Sequence, residues 1–353
     1  RSYVGHLWAL DWPEFALADF DRDKIVQFAG FWFSGAGGRS SVARTESEIA
    51  AQKTQLIGAI DERPHLLEVA GIPLLLTLMA FVHQHEGELP RSQAKLYESI
   101  VDLLLFHWKD EGTAGGSTAL GLRPLLGQQV SENAFLGALQ KVAWEVQHDD
   151  RSRGVRKEPA DISGERLRNG LAGLHRPRSL DWANQVIAAL QLRAGLLRFV
   201  SGTPESPVFA FLHRSFQEYF AGANLALMKD FPKEALRLLQ LDLPYWQNTV
   251  KWAAGRLAHN DGRFRDVRDL IRELCLPFEA ASAPVLAPQV VVAGEILADA
   301  GPRDIANETE GPRCVELVQE HLQTLMLDES REVRAREEAG KVLGKVGDPR
   351  PGV

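Results

Sequence analysis

Phe209-Ala210-Phe211-Leu212-His213-Arg214-Ser215-Phe216-Gln217-Glu218-Tyr219-Phe220-Ala221-Gly222 changes its periodicity part-way along. From Val208 to Leu212 the apolar residues crowd together as in a short buried strand. From Ser215 onward Phe216, Tyr219 and Phe220 recur at helical spacing. The pattern predicts a strand that runs into a helix, with His213 and Arg214 at the junction. A helix start carries unpaired N–H groups and positive dipole, so a His and an Arg placed there are suited to receive an anion such as a phosphate. A histidine between apolar neighbours is, as a rule, a packed and hydrogen-bonded core residue, and chemistry alone favours that role over an anion ligand.

Working outward, Leu196–Val200 and Val208–Leu212 flank Gly202-Thr203-Pro204-Glu205-Ser206, and two β-rich runs around a Gly/Pro turn predict a hairpin. Helical patterns precede it. One, over Glu132–Val146, puts Phe135, Leu139, Val142 and Val146 on one face, and another ends near Leu192 before Gly195. Helices followed by a hairpin are the plan of a winged helix. Such a fold often reads DNA, but the helix before the wing offers only Arg193 as a cation, whereas Trp182, Val186, Ala189 and Leu190 form a stripe for packing.

The run Phe-Leu-His-Arg-Ser-Phe-Gln-Glu-Tyr-Phe-Ala resembles the winged-helix signature of NACHT-type NTPases, the STAND class that includes inflammasome receptors and many bacterial defence proteins. The resemblance implies that His213 touches the β-phosphate of bound ADP and holds the protein closed. Gly71-Ile72-Pro73-Leu74 adds to it. On residue grounds this is a helix that ends at Gly71 and another that starts with Pro73 in its first turn, where a missing N–H costs nothing. The same run resembles the GxP motif of STAND proteins, which implies that Pro73 packs on adenine. Leu89-Pro90-Arg91 followed by Leu96-Tyr97-Glu98 and Trp108 is similar to a further family passage. Arg1-Ser2-Tyr3 is similar to the passage after the sensor 1 strand, which makes Arg1 a candidate sensor arginine.

Other features carry less chemistry. Asp21 predicts the cap of a helix through Ile25, Phe28, Ala29 and Trp32, with a short strand over residues 15 to 20 before it. Gly35-Ala36-Gly37-Gly38-Arg39-Ser40-Ser41 is a loop and not a phosphate loop, because it has no lysine and follows a helical segment. The sequence contains no Walker A motif and no apolar strand ending in paired acids for Mg²⁺, so the parts that bind triphosphate and activate water are expected elsewhere. Thr45 and Glu48 have the spacing of a capping box. His83-Gln84-His85 predicts a solvated helix end, since no third metal ligand stands nearby. Residues 112 to 130 read as a surface loop and residues 148 to 160 as a solvated, mixed-charge connection.

After Lys229 the pattern repeats. Ala293-Gly294 with Gly301 realigns with Ala339-Gly340 and Gly347 at an offset of 46 residues, and Ala254-Gly255 with Gly262 precedes the first copy by 39. Such periods with paired helices are those of HEAT-like repeats, whose units must stack to bury their faces.

The chain has 353 residues, is 45% hydrophobic and 25% charged, and carries a net charge of −7, which does not indicate a general electrostatic grip on nucleic acid. No apolar run is long enough to cross a bilayer. Cys275 and Cys314 are expected to be unbridged thiols in a reducing, cytoplasmic setting.

The expected fold is mainly α: a helical domain plus a winged helix with a small β-hairpin, followed by a HEAT-like α-solenoid. The expected divisions are residues 1–44 as the end of a nucleotide-binding domain, 45–112 as the helical domain, 113–228 as the winged helix, 229–346 as repeats and 347–353 as a linker. Arg1 in place of an initiator Met suggests a piece of a longer protein. The closing Gly-Asp-Pro-Arg-Pro-Gly-Val is similar to the lead into a formylglycine-generating type of domain in bacterial NACHT proteins. The resemblance implies a bacterial signalling switch that is closed with ADP and oligomeric with ATP and Mg²⁺ in the parent, without tight nucleotide binding or turnover by this stretch alone. It also implies protein partners or a trigger ligand on the repeats, with neither nucleic acid nor membrane involved. Two other readings stay open: a helical-repeat scaffold without nucleotide dependence, and a winged-helix DNA-binding regulator.

Overall fold

The computed structural model describes residues 18–36, 45–107, 121–150, 158–276 and 287–350. The chain divides into two compact units, Arg1–Leu89 and Pro90–Val353. In the first, Asp21 accepts a hydrogen bond from the Lys24 N–H and opens α1 (Arg22–Phe31), which runs into a π-helical turn, Trp32–Ala36. The expected strand before it does not form over residues 18–20, and residues 15–17 lie outside the described residues. The Thr45/Glu48 capping box opens α2 (Glu46–Asp61), followed by α3 (Pro64–Ala70) and α4 (Pro73–Glu86). Ile25, Leu56, Ile60, Leu66, Leu76 and Met79 form this unit's core, each at most 2% exposed. His83 belongs to that interior as well. At 2% exposed and edge-on to Phe33, it is not the solvated residue its neighbours Gln84 and His85 suggested.

The second unit opens with α5 (Gln93–Asp102), which passes into a π-helical segment, Leu103–His107. A short helix, α6 (Arg123–Leu126), then occupies part of the stretch expected to be loop. Leu122, Leu126 and Val130 are buried, so the polar composition just upstream concealed an anchored segment. Next come α7 (Glu132–Asp150), β1 (Ile162–Ser163), α8 (Gly164–Ala172), α9 (Leu180–Leu192), β2 (Leu197–Gly202) and β3 (Pro207–Phe211). The order helix, strand, helix, helix, strand, strand is that of a winged helix. The predicted hairpin is present, with Phe199 opposite Phe209, but β1 adds a third antiparallel strand to its other edge, giving the order β1-β3-β2.

From β3 the chain enters α10 (Arg214–Ala226), which packs against α7 on one side and α12 (Leu243–His259) on the other. The remaining helices are α11 (Phe231–Leu241), α13 (Phe264–Cys275), α14 (Ala287–Ala300), α15 (Pro302–Ala306), α16 (Gly311–Leu327) and α17 (Val333–Val346). They form two layers around one continuous apolar core: α10, α12, α14 and α17 follow one another in the first, with α11, α13 and α16 in the second. This is the stacked, HEAT-like arrangement that the repeated Ala-Gly pairs predicted. Gly255, Gly294 and Gly340 fall on α12, α14 and α17. At Gly294 a Cβ would stand 2.5 Å from a methyl of Val342, so the bare backbone is what lets α17 approach α14. Gly301 and Gly347 take nearly the same left-handed conformation, φ +94° and +93°, each just past its helix end.

Cys275 and Cys314 are both buried and neither forms a disulfide. No helix of the described residues is long and apolar enough to cross a membrane.

Candidate functional site

Extended backbone at His213 (φ −141°, ψ 149°) ends β3 and places the residue at the N-cap of α10. An N-cap is usually a Ser, Thr, Asp or Asn whose oxygen accepts from a free N–H of the first turn. Here an imidazole nitrogen does that work. Nδ1 of His213 accepts from the Ser215 N–H at 3.2 Å and lies 2.7 Å from Ser215 Oγ. A nitrogen that accepts from a backbone N–H carries no proton of its own, so the ring proton sits on Nε2. Burial holds the imidazole below its ordinary titration range, which keeps it neutral near neutral pH. His213 is half-buried, and its Nε2–H makes no hydrogen bond among the described residues. The result is a fixed, neutral donor beside the positive end of a thirteen-residue helix.

Arg214 does not share that role. One step along the helix turns its side chain inward, to 6% exposure. Its Nε donates to Glu218 at 2.9 Å, Nη1 donates to the Glu158 carbonyl at 3.2 Å, and the guanidinium lies over the Tyr245 ring. Of the two junction residues suited to an anion, Arg214 is taken up inside the fold, where it neutralises a buried acid. Burial pushes the Glu218 carboxyl up, while Arg214 and Asn248 draw it back. Gln217 is fully buried beside them. Its Oε1 accepts from the Ala160 N–H at 2.7 Å and its amide bonds Gln147 on α7.

Sequence reasoning did not assign a role to the residue that anchors Ser215. Tyr97, on α5 and 118 residues earlier, donates its O–H to Ser215 Oγ at 2.8 Å. Its ring is 1% exposed among Phe216, Tyr219 and Trp252. The Leu-Tyr-Glu passage singled it out, but nothing in its local pattern says which hydroxyl it meets.

Pro73 stands at the start of α4 in the first unit, exposed, with its carbonyl accepting from Thr77 Oγ1 at 2.8 Å. Arg1 lies outside the described residues, as do residues 37–41 of the Gly-rich stretch. Within the first unit, a cavity of about 450 Å³ is lined by Gln55, Glu62, Arg63, His83 and Glu88 among others, and Pro73 is not part of its wall. No cluster of His, Cys, Asp and Glu able to hold a metal occurs among the described residues. On α9 the stripe of Trp182, Val186, Ala189 and Leu190 is buried, as its spacing predicted, and Trp182 Nε1 donates to the Leu125 carbonyl at 2.7 Å. Its exposed face carries Asp181, Asn184, Gln185 and Ala188, with Arg193 at its end.

The family model described as the winged helix-turn-helix domain C-terminal to NACHT matches residues 93–225. Over this span the chain is similar to the winged helix domain of NACHT-type proteins. The match opens in α5 and closes within α10, so Tyr97, His213 and Ser215 all fall inside the matched span, while Pro73 and the repeats from α11 onward fall outside it. No curated protein matches the chain.

Proposed function

We propose that the chain is the regulatory part of a NACHT-type switch in which His213 reports whether a nucleoside diphosphate is bound. A diphosphate supplies acceptor oxygens, and the fixed Nε2–H of His213 at the head of α10 is a matching donor; this is the observation that carries the reading. Pro73, exposed at a helix start, offers a rigid apolar corner to the adenine ring, and Arg1, by the likeness of Arg1-Ser2-Tyr3 to the passage after the sensor 1 strand, is the candidate sensor arginine. With ADP held, the winged helix stays closed on the nucleotide domain. A signal arriving on the repeats favours the open form only by binding it more tightly than the closed one, after which ATP replaces ADP and the protein oligomerises. Bacterial signalling, including antiphage defence, is the setting this reading favours.

The test is His213→Ala in the protein together with its upstream nucleotide-binding domain. ADP that remains bound through purification is expected to fall, and spontaneous oligomers to increase. Unchanged ADP content in the purified variant overturns the reading. The 353-residue chain by itself is expected to show negligible ATP turnover, since its sequence holds no Walker A loop.

A further inference from the structure

Ser215 Oγ has one proton and two close neighbours. It accepts from Tyr97 Oη–H at 2.8 Å and faces His213 Nδ1 at 2.7 Å, so its own proton is directed at that nitrogen. The Ser215 N–H reaches the same nitrogen over the longer distance of 3.2 Å. Which way the hydroxyl turns therefore depends on Tyr97. Tyr97 in turn is placed by α12: the Trp252 ring lies 4.4 Å from it, centre to centre, and Trp252 also meets Tyr219 edge-on at 5.5 Å. There is little slack behind the tryptophan, because a Cβ on Gly222 of α10 would stand 2.6 Å from Trp252 Cβ. Four side chains, from α12, α5 and the head of α10, thus form one line from the first repeat to the imidazole.

We propose that Tyr97 is a positioning residue that passes the placement of repeat helix α12 to His213. While Trp252 packs on the Tyr97 ring, the Tyr97–Ser215–His213 hydrogen bonds hold the imidazole in place, adding the Ser215 hydroxyl to the backbone N–H that already fixes its tautomer. When α12 shifts, Tyr97 loses its seat, the Ser215 hydroxyl is free to turn away from Nδ1, and the ring keeps only the longer N–H bond. The functional meaning rests on the reading of His213 as a diphosphate sensor, but the relay itself needs no nucleotide. Coupling of this kind is reciprocal: an anion that occupies the Nε2–H also favours the position of α12 that keeps it there.

The experiment uses the chain with ¹⁵N-labelled histidine. Long-range ¹H–¹⁵N correlations report which ring nitrogen carries the proton, and the His213 signals are assigned by their loss in His213→Gln. The wild type is expected to show a single Nε2–H tautomer. Tyr97→Phe keeps the ring and removes only the hydroxyl, and it is expected to keep that tautomer while moving the Nδ1 signal towards that of an acceptor nitrogen with one bond fewer, as is Ser215→Ala. Trp252→Leu, or Trp252→Phe if the smaller residue unfolds the chain, is expected to move the same signals without touching either hydrogen-bonding partner. A merely structural Tyr97 lowers the melting temperature and leaves the ring nitrogens unchanged; that result in Tyr97→Phe overturns the proposal. Shifts in Tyr97→Phe with none in either Trp252 variant overturn the link to the repeats. In the protein with its nucleotide domain, Tyr97→Phe is expected to hold ADP about two- to tenfold more weakly, the worth of one net hydrogen bond. If His213→Ala retains ADP while the ring-nitrogen shifts are seen, the nucleotide reading fails and the relay stands.

Discussion

Arg214 Nε lies 2.9 Å from a carboxylate oxygen of Glu218 one turn along α10, and each side chain is only 8% exposed. A pair this deep must be complete, because a single charge left without its partner in the interior is far costlier than the pair itself. Glu218→Leu alone is expected to destabilise the second unit by about 3–5 kcal/mol. Arg214→Met combined with Glu218→Leu should regain most of that loss. Urea unfolding of the two proteins decides it: a double variant no more stable than the single one means the ion pair is not what the site needs.

Two glycines in helices predict opposite outcomes for the same change. At Gly222 a Cβ would stand 2.6 Å from Trp252 Cβ and 2.7 Å from the Thr249 carbonyl, so Gly222→Ala must push α12 away and is expected to cost about 1–3 kcal/mol. Gly344, exposed on α17, has nothing within 4 Å of its would-be Cβ, and Gly344→Ala is expected to stabilise by about 0.5–1 kcal/mol. Melting temperatures that move in the same direction for both would remove the packing argument.

Three histidines give the stability a pH dependence of mixed sign. Burial holds His83 and His213 below the ordinary 6.5, so the stability they contribute is present above that value and is lost as pH falls through their lowered ones. At His259 burial also pulls downward, but the hydrogen bond and charge of Asp299 outweigh it and raise the group. Its contribution is complete below 6.5 and is lost as pH rises through the raised value. His83→Gln should flatten the acid side of a melting-temperature profile, and His259→Gln the neutral-to-alkaline side. Profiles parallel to the wild type would refute these assignments.

The open face of α9 bears on DNA. With Asp181 on that face and Arg193 as the cation at its end, the helix lacks the row of charges that phosphates require. Fluorescence anisotropy with duplex DNA at about 0.05 and 0.2 M salt is expected to show no saturable binding. Tight binding that falls steeply between the two salts would restore the DNA-regulator alternative.

What the sequence made legible was whatever is local. The Thr45/Glu48 capping box, the Pro73 helix start, the hairpin around Gly202 and the stacked Ala-Gly pairs all depend on residues a few positions apart, and each appears where its spacing placed it. The third strand escaped because Ile162–Ser163 is too short to show an alternation. The buried segment from Leu122 to Val130 escaped because its apolar residues follow a run rich in Gly, Ser and Thr. At the candidate site, the position of His213 at the strand-to-helix corner was readable from the change of period. The inward turn of Arg214 was not, because it depends on Glu158 and Tyr245, which come from elements far away in the chain. The hydroxyl of Tyr97 was beyond any local pattern for the same reason.

One helix serves both neighbours: α10 closes the winged fold against α7 and opens the helical stack against α12. A chain shortened after Ala226 would keep every residue of the matched domain yet leave the flank around Tyr219, Gly222 and Leu225 without its roof. Separate expression of the two parts therefore has no clean seam, and a smallest autonomous version of the domain must carry α12 along with it.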